Sequence, residues 1–228
     1  IVVSENTRKD LIKDFKIESK KTRKVLHGID HETFHPIPSI NRKNNQLITT
    51  ASADVPLKGL IFLIRAYADL LKEFPDLELL VIGRLREGPT DQELKKEGIK
   101  EKVKFISDLT GRQIAELYAE STIAVSPSVY EGFGFPAGEA MSCGIPLIST
   151  NGGSLPEVVG DAAIVVPHSN PKALKDAIKL LLKSPEKRLD LGNRGRKRVL
   201  EKFTWKRAAK ELVEVYREAI ENANNRSW

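Results

Sequence analysis

The chain has 228 residues, with 37 Lys and Arg against 31 Asp and Glu, 40% hydrophobic and 6% aromatic side chains, and a formal net charge of +6. These values exclude a disordered chain and a coiled coil, and fit one large α/β domain, or one domain with a fragment of another, able to bury a substantial core. No run of about 18 apolar residues occurs and no charged-then-apolar leader opens the chain, so a soluble chain without an export signal is expected. The single cysteine, Cys143, excludes an internal disulfide framework and a multi-cysteine zinc site and suits a reducing compartment, which makes the cytoplasm the expected location. Asn225-Arg226-Ser227 is then a chance glycosylation sequon.

In chain order, Ile1-Val2-Val3 reads as a strand and Ser4 to Ile17 as a capped helix. His27-Gly28-Ile29-Asp30, followed by Phe34, Pro36 and Pro38, reads as a linker. The expected boundary therefore lies near residue 28, with residues 1–28 the end segment of another, absent domain, residues 29–222 the main domain and 223–228 a polar tail. A first residue of Ile1, not Met, suits a portion of a longer protein. Candidate strands follow at Leu47-Ala51, Leu77-Ile82, Val103-Ile106, Ile123-Ser126, Pro146-Ser149 and Ala163-Val166. Between the first two, Leu60, Leu63, Ile64, Tyr67, Ala68 and Leu71 repeat at the spacing of a buried helical stripe over Gly59 to Phe74, ended by Pro75. Further helices fit Gln113-Glu120, Pro136-Cys143, Pro171-Lys183, Pro185-Lys202 and Trp205-Asn222, several with Pro in the first turn. Alternation of strands and helices predicts an α/β fold with a Rossmann-like, doubly wound parallel sheet.

Charge is uneven along this plan. Lys172 to Glu218 holds 15 Lys and Arg and 7 Asp and Glu, so the excess lies on the last three helices. Interspersed acids favour a solvated helical face over attraction to an anionic membrane surface, and no aromatic ladder suggests nucleic acid.

Ligands of such sheets bind outside the carboxyl ends of the strands, which directs attention to the loop after the fourth strand, Ser126-Pro127-Ser128-Val129-Tyr130-Glu131-Gly132-Phe133-Gly134-Phe135-Pro136. Gly132 and Gly134 allow close approach of backbone to a ligand, and the helix begun by Pro136 offers free N–H groups and a positive dipole end to an anion such as phosphate. Glu131 lies before this turn and Glu139 one turn inside the helix, where carboxylates accept hydrogen bonds from sugar hydroxyls. On the residues alone, the glycines serve equally to shape a turn. Gly132-x-Gly134-x-x-x-Gly138 is one residue too long for a dinucleotide fingerprint and follows the wrong strand, and Gly83-x4-Gly88 continues with Pro89-Thr90, not the Lys of a phosphate loop.

Glu131-Gly132-Phe133-Gly134-Phe135-Pro136-x-x-Glu139-Ala140-Met141-Ser142-Cys143-Gly144-Ile145-Pro146, then Gly152-Gly153-x-x-Pro156-Glu157, resembles the donor-binding C-terminal half of a GT-B, GT4-type retaining glycosyltransferase. Gly28-Ile29-Asp30-x3-Phe34 matches that family's interdomain linker and Phe203-x-Trp205 opens its closing helix, so the resemblance covers residues 1–222. It implies that Glu131 is the first Glu of the E-x7-E motif, catalytic by its customary label and in contact with the transferred sugar, while Glu139 holds the ribose hydroxyls. It further implies that Phe133, Gly134 and Phe135 offer backbone N–H groups to donor sugar and diphosphate, that Lys58 neutralises the diphosphate, and that Ile106 lies where backbone contacts the base. A solvated loop lysine and a plain core isoleucine are the alternatives for Lys58 and Ile106.

One departure stands out: the family's usual Arg five or six residues before this Lys is replaced by Ala53 and Ser52, with Asp54 nearby. Arg84 is a candidate substitute, although an exposed loop arginine is the favoured reading. The resemblance implies retaining sugar transfer from a nucleoside-diphosphate sugar to a sugar or lipid-linked acceptor, with no cofactor and no metal; no Asp-x-Asp and no His pair at ligand spacing occurs. His27, His31, His35 and His168 are scattered and read as structural or surface residues. Partners implied are the donor, the acceptor, a missing N-terminal domain and peripheral contact at the inner face of the membrane. Two alternatives stay open: a nucleotide-sugar-binding module without chemistry of its own, and a GT-B nucleotide-sugar epimerase.

Overall fold

Six short aliphatic runs form one sheet in a computed structural model of the chain, which describes residues 1–51 and 55–224. The strands are β1 (Gln46–Thr50), β2 (Glu78–Ile82), β3 (Val103–Ile106), β4 (Ile123–Ser126), β5 (Leu147–Thr150) and β6 (Ile164–Val166). All pair in parallel in the order β3-β2-β1-β4-β5-β6. This order reverses between β1 and β4, as in a doubly wound dinucleotide-type fold, and opens a crevice at their carboxyl ends. The helices among the described residues are α1 (Glu5–Phe15), α2 (Leu60–Leu71), α3 (Pro89–Lys96), α4 (Gly111–Glu120), α5 (Phe135–Ser142), α6 (Leu155–Val159), α7 (Pro171–Lys183), α8 (Pro185–Lys202) and α9 (Trp205–Asn224).

Strand side chains alternate between two cores because the pleat turns successive residues to opposite faces. Leu47, Leu79, Val81, Ile123, Val125 and Ile148 join the core under α2, α3 and α7. Ile48, Leu80, Ile82, Ala124 and Leu147 join the other, under α4, α5 and α8. The expected strands and long helices lie within two residues of these bounds at most ends. Helix α2 stops at Leu71 and not at Phe74, its last residues continuing as turns before Pro75. Helix α9 runs to Asn224, two residues past the expected end; the sequon Asn225-Arg226-Ser227 lies outside the described residues.

Two helices have no counterpart in the sequence reading. Helix α3 buries one aliphatic residue, Leu94, so no apolar stripe announces it. Its buried Asp91 and Glu93 are instead tied to Lys95, Lys100, Arg65 and Lys96. Helix α6 is five residues long and too short for periodicity. The expected strand at Ile1-Val2-Val3 is a single parallel bridge between Val2 and Lys24, because no longer run faces it. Among the described residues no helix is long and apolar enough to cross a membrane.

Residues 1–28 lie against α6 and α9. Ser4 caps α1 by accepting the Thr7 N–H, Arg23 pairs with Glu218, and Arg207 donates to the Leu26 carbonyl at 3.2 Å. His27 packs against Phe133, Phe135 and Trp205, with ring centroids 5.2, 5.1 and 6.1 Å apart, and burial lowers its pKa. It packs the segment before Gly28 against the loop that leads into α5 and the start of α9.

Candidate functional site

Three loops meet at the carboxyl ends of β1, β4 and β5. The first enters α2 through a 3₁₀ turn at Pro56–Lys58, the second is residues 127–134, and the third is the turn 151–154. They are sewn together by backbone. Val129 N–H donates to the Leu57 carbonyl at 2.8 Å, Thr150 Oγ1 donates to the Ser128 carbonyl, and Ser154 gives both its N–H and its hydroxyl to the Glu131 carbonyl at 2.9 Å each. The same Ser154 hydroxyl lies 2.8 Å from the Phe133 carbonyl. Gly153, at φ +60°, passes so close that a Cβ there would strike the backbone of Glu131. Its lack of a side chain lets the third loop grip the second.

That grip presents Glu131 inward. Its Oε1 accepts from Lys58 Nζ at 2.7 Å and from Ser128 Oγ at 2.8 Å, with the Lys58 and Glu131 side chains only 25% and 13% exposed. Ion pairs so withdrawn are weakly screened by solvent. Glu139, one turn inside α5, has no ion-pair partner among the described residues. Burial pushes its carboxyl up to about 7, so the group is poised to exchange a proton at neutral pH. Beside it the Tyr118 phenol is buried, which raises its pKa, and lies 3.1 Å from Thr50 Oγ1 and 3.3 Å from the Pro136 carbonyl. Thr50, Tyr118, Ser126, Glu131 and Pro136 line a narrow crevice at the switch between β1 and β4.

Helix α5 begins at this crevice. Gly134 precedes it at φ +101°, a conformation that favours glycine, and a Cβ there would lie 2.7 Å from Leu155 Cδ2. The first N–H groups of a helix have no partner within it, so the start of α5 carries the positive end of a helix dipole. Phe133 is buried against His27, Phe135 and Phe203, which anchors the turn. Gly132 is the open member: a Cβ there would meet nothing within 4 Å.

Thr50 also borders a cavity of about 300 Å³ at the ends of β2 and β3, with Ile82, Gly83, Arg84, Ser107, Asp108 and Ile114. Ile106, the last residue of β3, is half-buried beside it, and its carbonyl accepts the Gly83 N–H at 2.7 Å. Arg84 is exposed, bonded to Ser107 Oγ at 3.0 Å and paired with Asp108. The favoured reading of Arg84 as a surface loop residue matches this placement. Ser52, Ala53 and Asp54 lie outside the described residues. Larger hollows of about 480 Å³ occur away from the crevice, one between Asn44, Phe74 and Arg188 at the amino ends of the strands. That end carries none of the glycine-rich turns. Among the described residues no group of three His, Cys, Asp or Glu side chains is placed to hold a metal ion.

The profile of the family described as "Glycosyl transferases group 1" matches residues 30–198, well over half of the chain. The chain belongs to the glycosyl transferases group 1 family. It is 38% identical over 224 residues to the MMP alpha-(1->4)-mannosyltransferase of Mycolicibacterium hassiacum, covering 96% of this chain and 54% of the relative. It is 27% identical to the D-inositol 3-phosphate glycosyltransferase of Saccharomonospora viridis, over 96% of this chain and 56% of that protein. The chain thus spans about half the length of the curated relatives it matches. Among solved structures, sucrose-phosphate synthase from Thermosynechococcus elongatus superposes with a TM-score of 0.82 at 26% identity, over 97% of this chain and 58% of that one. The fold is the Rossmann-like domain of GT-B glycosyltransferases.

Within this group 1 chain, the predicted residues fall into two sets. Lys58 and Glu131 touch, and Phe133, Gly134, Phe135 and Glu139 form the turn and first turns of α5 beside them. Ile106 stands apart, at the far edge of the cavity on β3. Ser128, Thr150, Ser154 and Tyr118, which hold the site in shape, were not singled out from the sequence.

Proposed function

We propose that this chain is the donor half of a metal-independent, retaining glycosyltransferase that takes a nucleoside-diphosphate sugar and passes the sugar to a sugar or lipid-linked acceptor. The observation that carries the reading is the convergence of Lys58, Glu131 and the start of α5 at the switch point between β1 and β4. In this reading the diphosphate lies at the N-terminus of α5, where Lys58 and the N–H groups of Phe133, Gly134 and Phe135 offset the charge that grows on the leaving group. Glu139 accepts from the ribose hydroxyls, and the cavity beside Ile106 takes the base. Glu131 accepts from hydroxyls of the sugar and orients it for attack from the leaving-group face. Membership of the family, with a mannosyltransferase among the relatives, supports sugar transfer over hydride or phosphoryl chemistry. A cytoplasmic location and an acceptor domain contributed by further chain complete the proposal.

Titration calorimetry with UDP, GDP and ADP, and with UDP-glucose, GDP-mannose and ADP-glucose, tests it in the presence of a chelator. Binding of one nucleoside diphosphate at unchanged affinity with the chelator is expected. A strict need for Mg²⁺ or Mn²⁺, or no binding across the panel, rejects the reading. Ser52 and Ala53, in place of the family's usual arginine, favour the second reading, a binding module without chemistry. Binding without any transfer by the whole protein would select it.

A further inference from the structure

Helix α1 lies against the outer side of the loop that carries Glu131. The Tyr130 hydroxyl donates to Asp10 Oδ2 at 2.6 Å, and Asn6 Nδ2 donates to the same oxygen at 3.0 Å and, at 3.4 Å, to the Tyr130 hydroxyl. Thr7 Oγ1 reaches the Gly132 carbonyl at 3.4 Å. The helix is itself pinned: Glu157, in the first turn of α6, accepts the Glu5 N–H through Oε2 at 2.7 Å and Lys24 Nζ through Oε1 at 2.7 Å. A carboxylate at the amino end of α1 suits the helix dipole. Glu157 lies three residues after Ser154, which with Gly153 holds the inner side of the Glu131 backbone.

We propose that Tyr130 is a positioning residue for Glu131, fastened by Asp10 so that α1 sets the sugar side of the donor site. The proposal rests on the reading of Glu131 as the sugar-contacting residue. Packing leaves the outer side of this loop loose, since the Tyr130 ring is 39% exposed and the space beside Gly132 is open. Hydrogen bonds from α1 are therefore what restrains residues 130–132 on that side. Released from them, the peptide of Glu131 swings about its inner anchor, and its carboxylate leaves the position fixed by Ser128 and Lys58. Among the described residues no hydrogen bond of α1 reaches α5 or the ends of β1 to β3, so the nucleotide side keeps its shape. Asp10 raises the pKa of the Tyr130 phenol, so the hydroxyl stays a donor at neutral pH. Through this contact the sugar side of the site responds to where the N-terminal segment lies.

The test uses the whole 228-residue chain with Tyr130→Phe, Asp10→Ala and Asp10→Asn. In calorimetry with the six ligands named above, the first two variants should bind the bare nucleoside diphosphate within about twofold of the parent and the matching nucleotide sugar about three- to tenfold more weakly, the span of one hydrogen bond. Asp10→Asn keeps a carbonyl acceptor and should recover part of the loss. The double variant Tyr130→Phe/Asp10→Ala should be no weaker than either alone, because both remove one contact. Hydrogen exchange of the ligand-free chain should quicken over residues 128–134 in Tyr130→Phe and Asp10→Ala. Equal losses for nucleotide and nucleotide sugar, or an unchanged sugar affinity, overturn the proposal. Should the parent bind none of the six, the donor-site reading falls and exchange alone decides: faster exchange upholds Tyr130 as the restraint, and unchanged exchange overturns it.

Discussion

Lys58 Nζ and Glu131 Oε1 stand 2.7 Å apart, so the cation proposed to meet the diphosphate is held by the carboxylate proposed to meet the sugar. Ser128 Oγ bonds the same oxygen, so among the described residues both contacts of the carboxylate fall on Oε1. The two proposed halves of the donor site are thus linked by one ion pair. In the proposed reading a diphosphate at α5 competes with Glu131 for Lys58, and a sugar hydroxyl engaging Glu131 eases that competition.

Opposite effects on bare nucleotide follow for the two partners. Lys58→Ala should weaken a nucleoside diphosphate by about 1.5 to 3 kcal/mol, the range of a charge-assisted hydrogen bond, while Glu131→Gln should keep its affinity or raise it by freeing Lys58. For the nucleotide sugar, both variants should lose affinity. Calorimetry with UDP or GDP and the corresponding sugar nucleotide reads all four values; equal losses for bare nucleotide in the two variants would contradict the link.

The glycine turn after β5 gives a steric prediction. Gly153→Ala places a Cβ against the Glu131 backbone at a positive φ and should cost roughly 1 to 3 kcal/mol in denaturant-induced unfolding, together with most of the sugar-dependent affinity. Gly132→Ala, with nothing within 4 Å, should change stability by less than about 0.5 kcal/mol. Similar unfolding midpoints for the two variants would show that the grip of residues 152–154 is not what shapes the loop.

Arg84 offers a contrast. It stands at the mouth of the cavity, but its guanidinium is spent on Ser107 and Asp108 in full exposure. Surface pairs of this kind are screened by solvent and contribute little, so Arg84→Ala should alter nucleoside diphosphate affinity by less than threefold. A tenfold loss in a direct titration would make it the missing half of the diphosphate clamp.

Periodicity exposed the parts of this fold that bury much apolar surface. The alternating strands and the stripe of α2 were readable because each buried position is aliphatic and regularly spaced. Helix α3 was not, since its buried positions are Asp91, Glu93 and Thr90 beside Leu94, and polarity normally signals solvent. In the site, Glu131 and Glu139 stand out by their spacing around a glycine-rich turn, and Lys58 only through the family resemblance of its loop. Ser128, Ser154 and Tyr130 do not, because their roles depend on which backbone group or which distant helix faces them. The Asp10–Tyr130 contact joins residues 120 positions apart, beyond the reach of any local pattern.

Glu139 makes the pH dependence of the protein testable. Burial lifts its carboxyl from the usual 4.5 to about 7, so between those values the folded chain holds a proton that the unfolded chain has released. Stability from this group is therefore complete below about pH 4.5, declines as pH rises towards 7, and stays reduced above it, by up to about 3 kcal/mol. Glu139→Gln removes the ionising group, so the variant should be more stable than the parent in urea at pH 8 and equal to it near pH 4.5. Function should run the other way. An ionised carboxylate is the stronger acceptor for ribose hydroxyls, so nucleotide binding should draw Glu139 into its charged form and release a proton. The terminal phosphate of a nucleoside diphosphate titrates in the same region, and the variant supplies the reference for it. Calorimetry at pH 7 in two buffers of different ionisation enthalpy should show more proton release for the parent than for Glu139→Gln, together with tighter binding by the parent. An unfolding difference between the two chains that is the same at pH 5 and pH 8, or equal proton release, would mean that Glu139 does not titrate on the nucleotide side of the site.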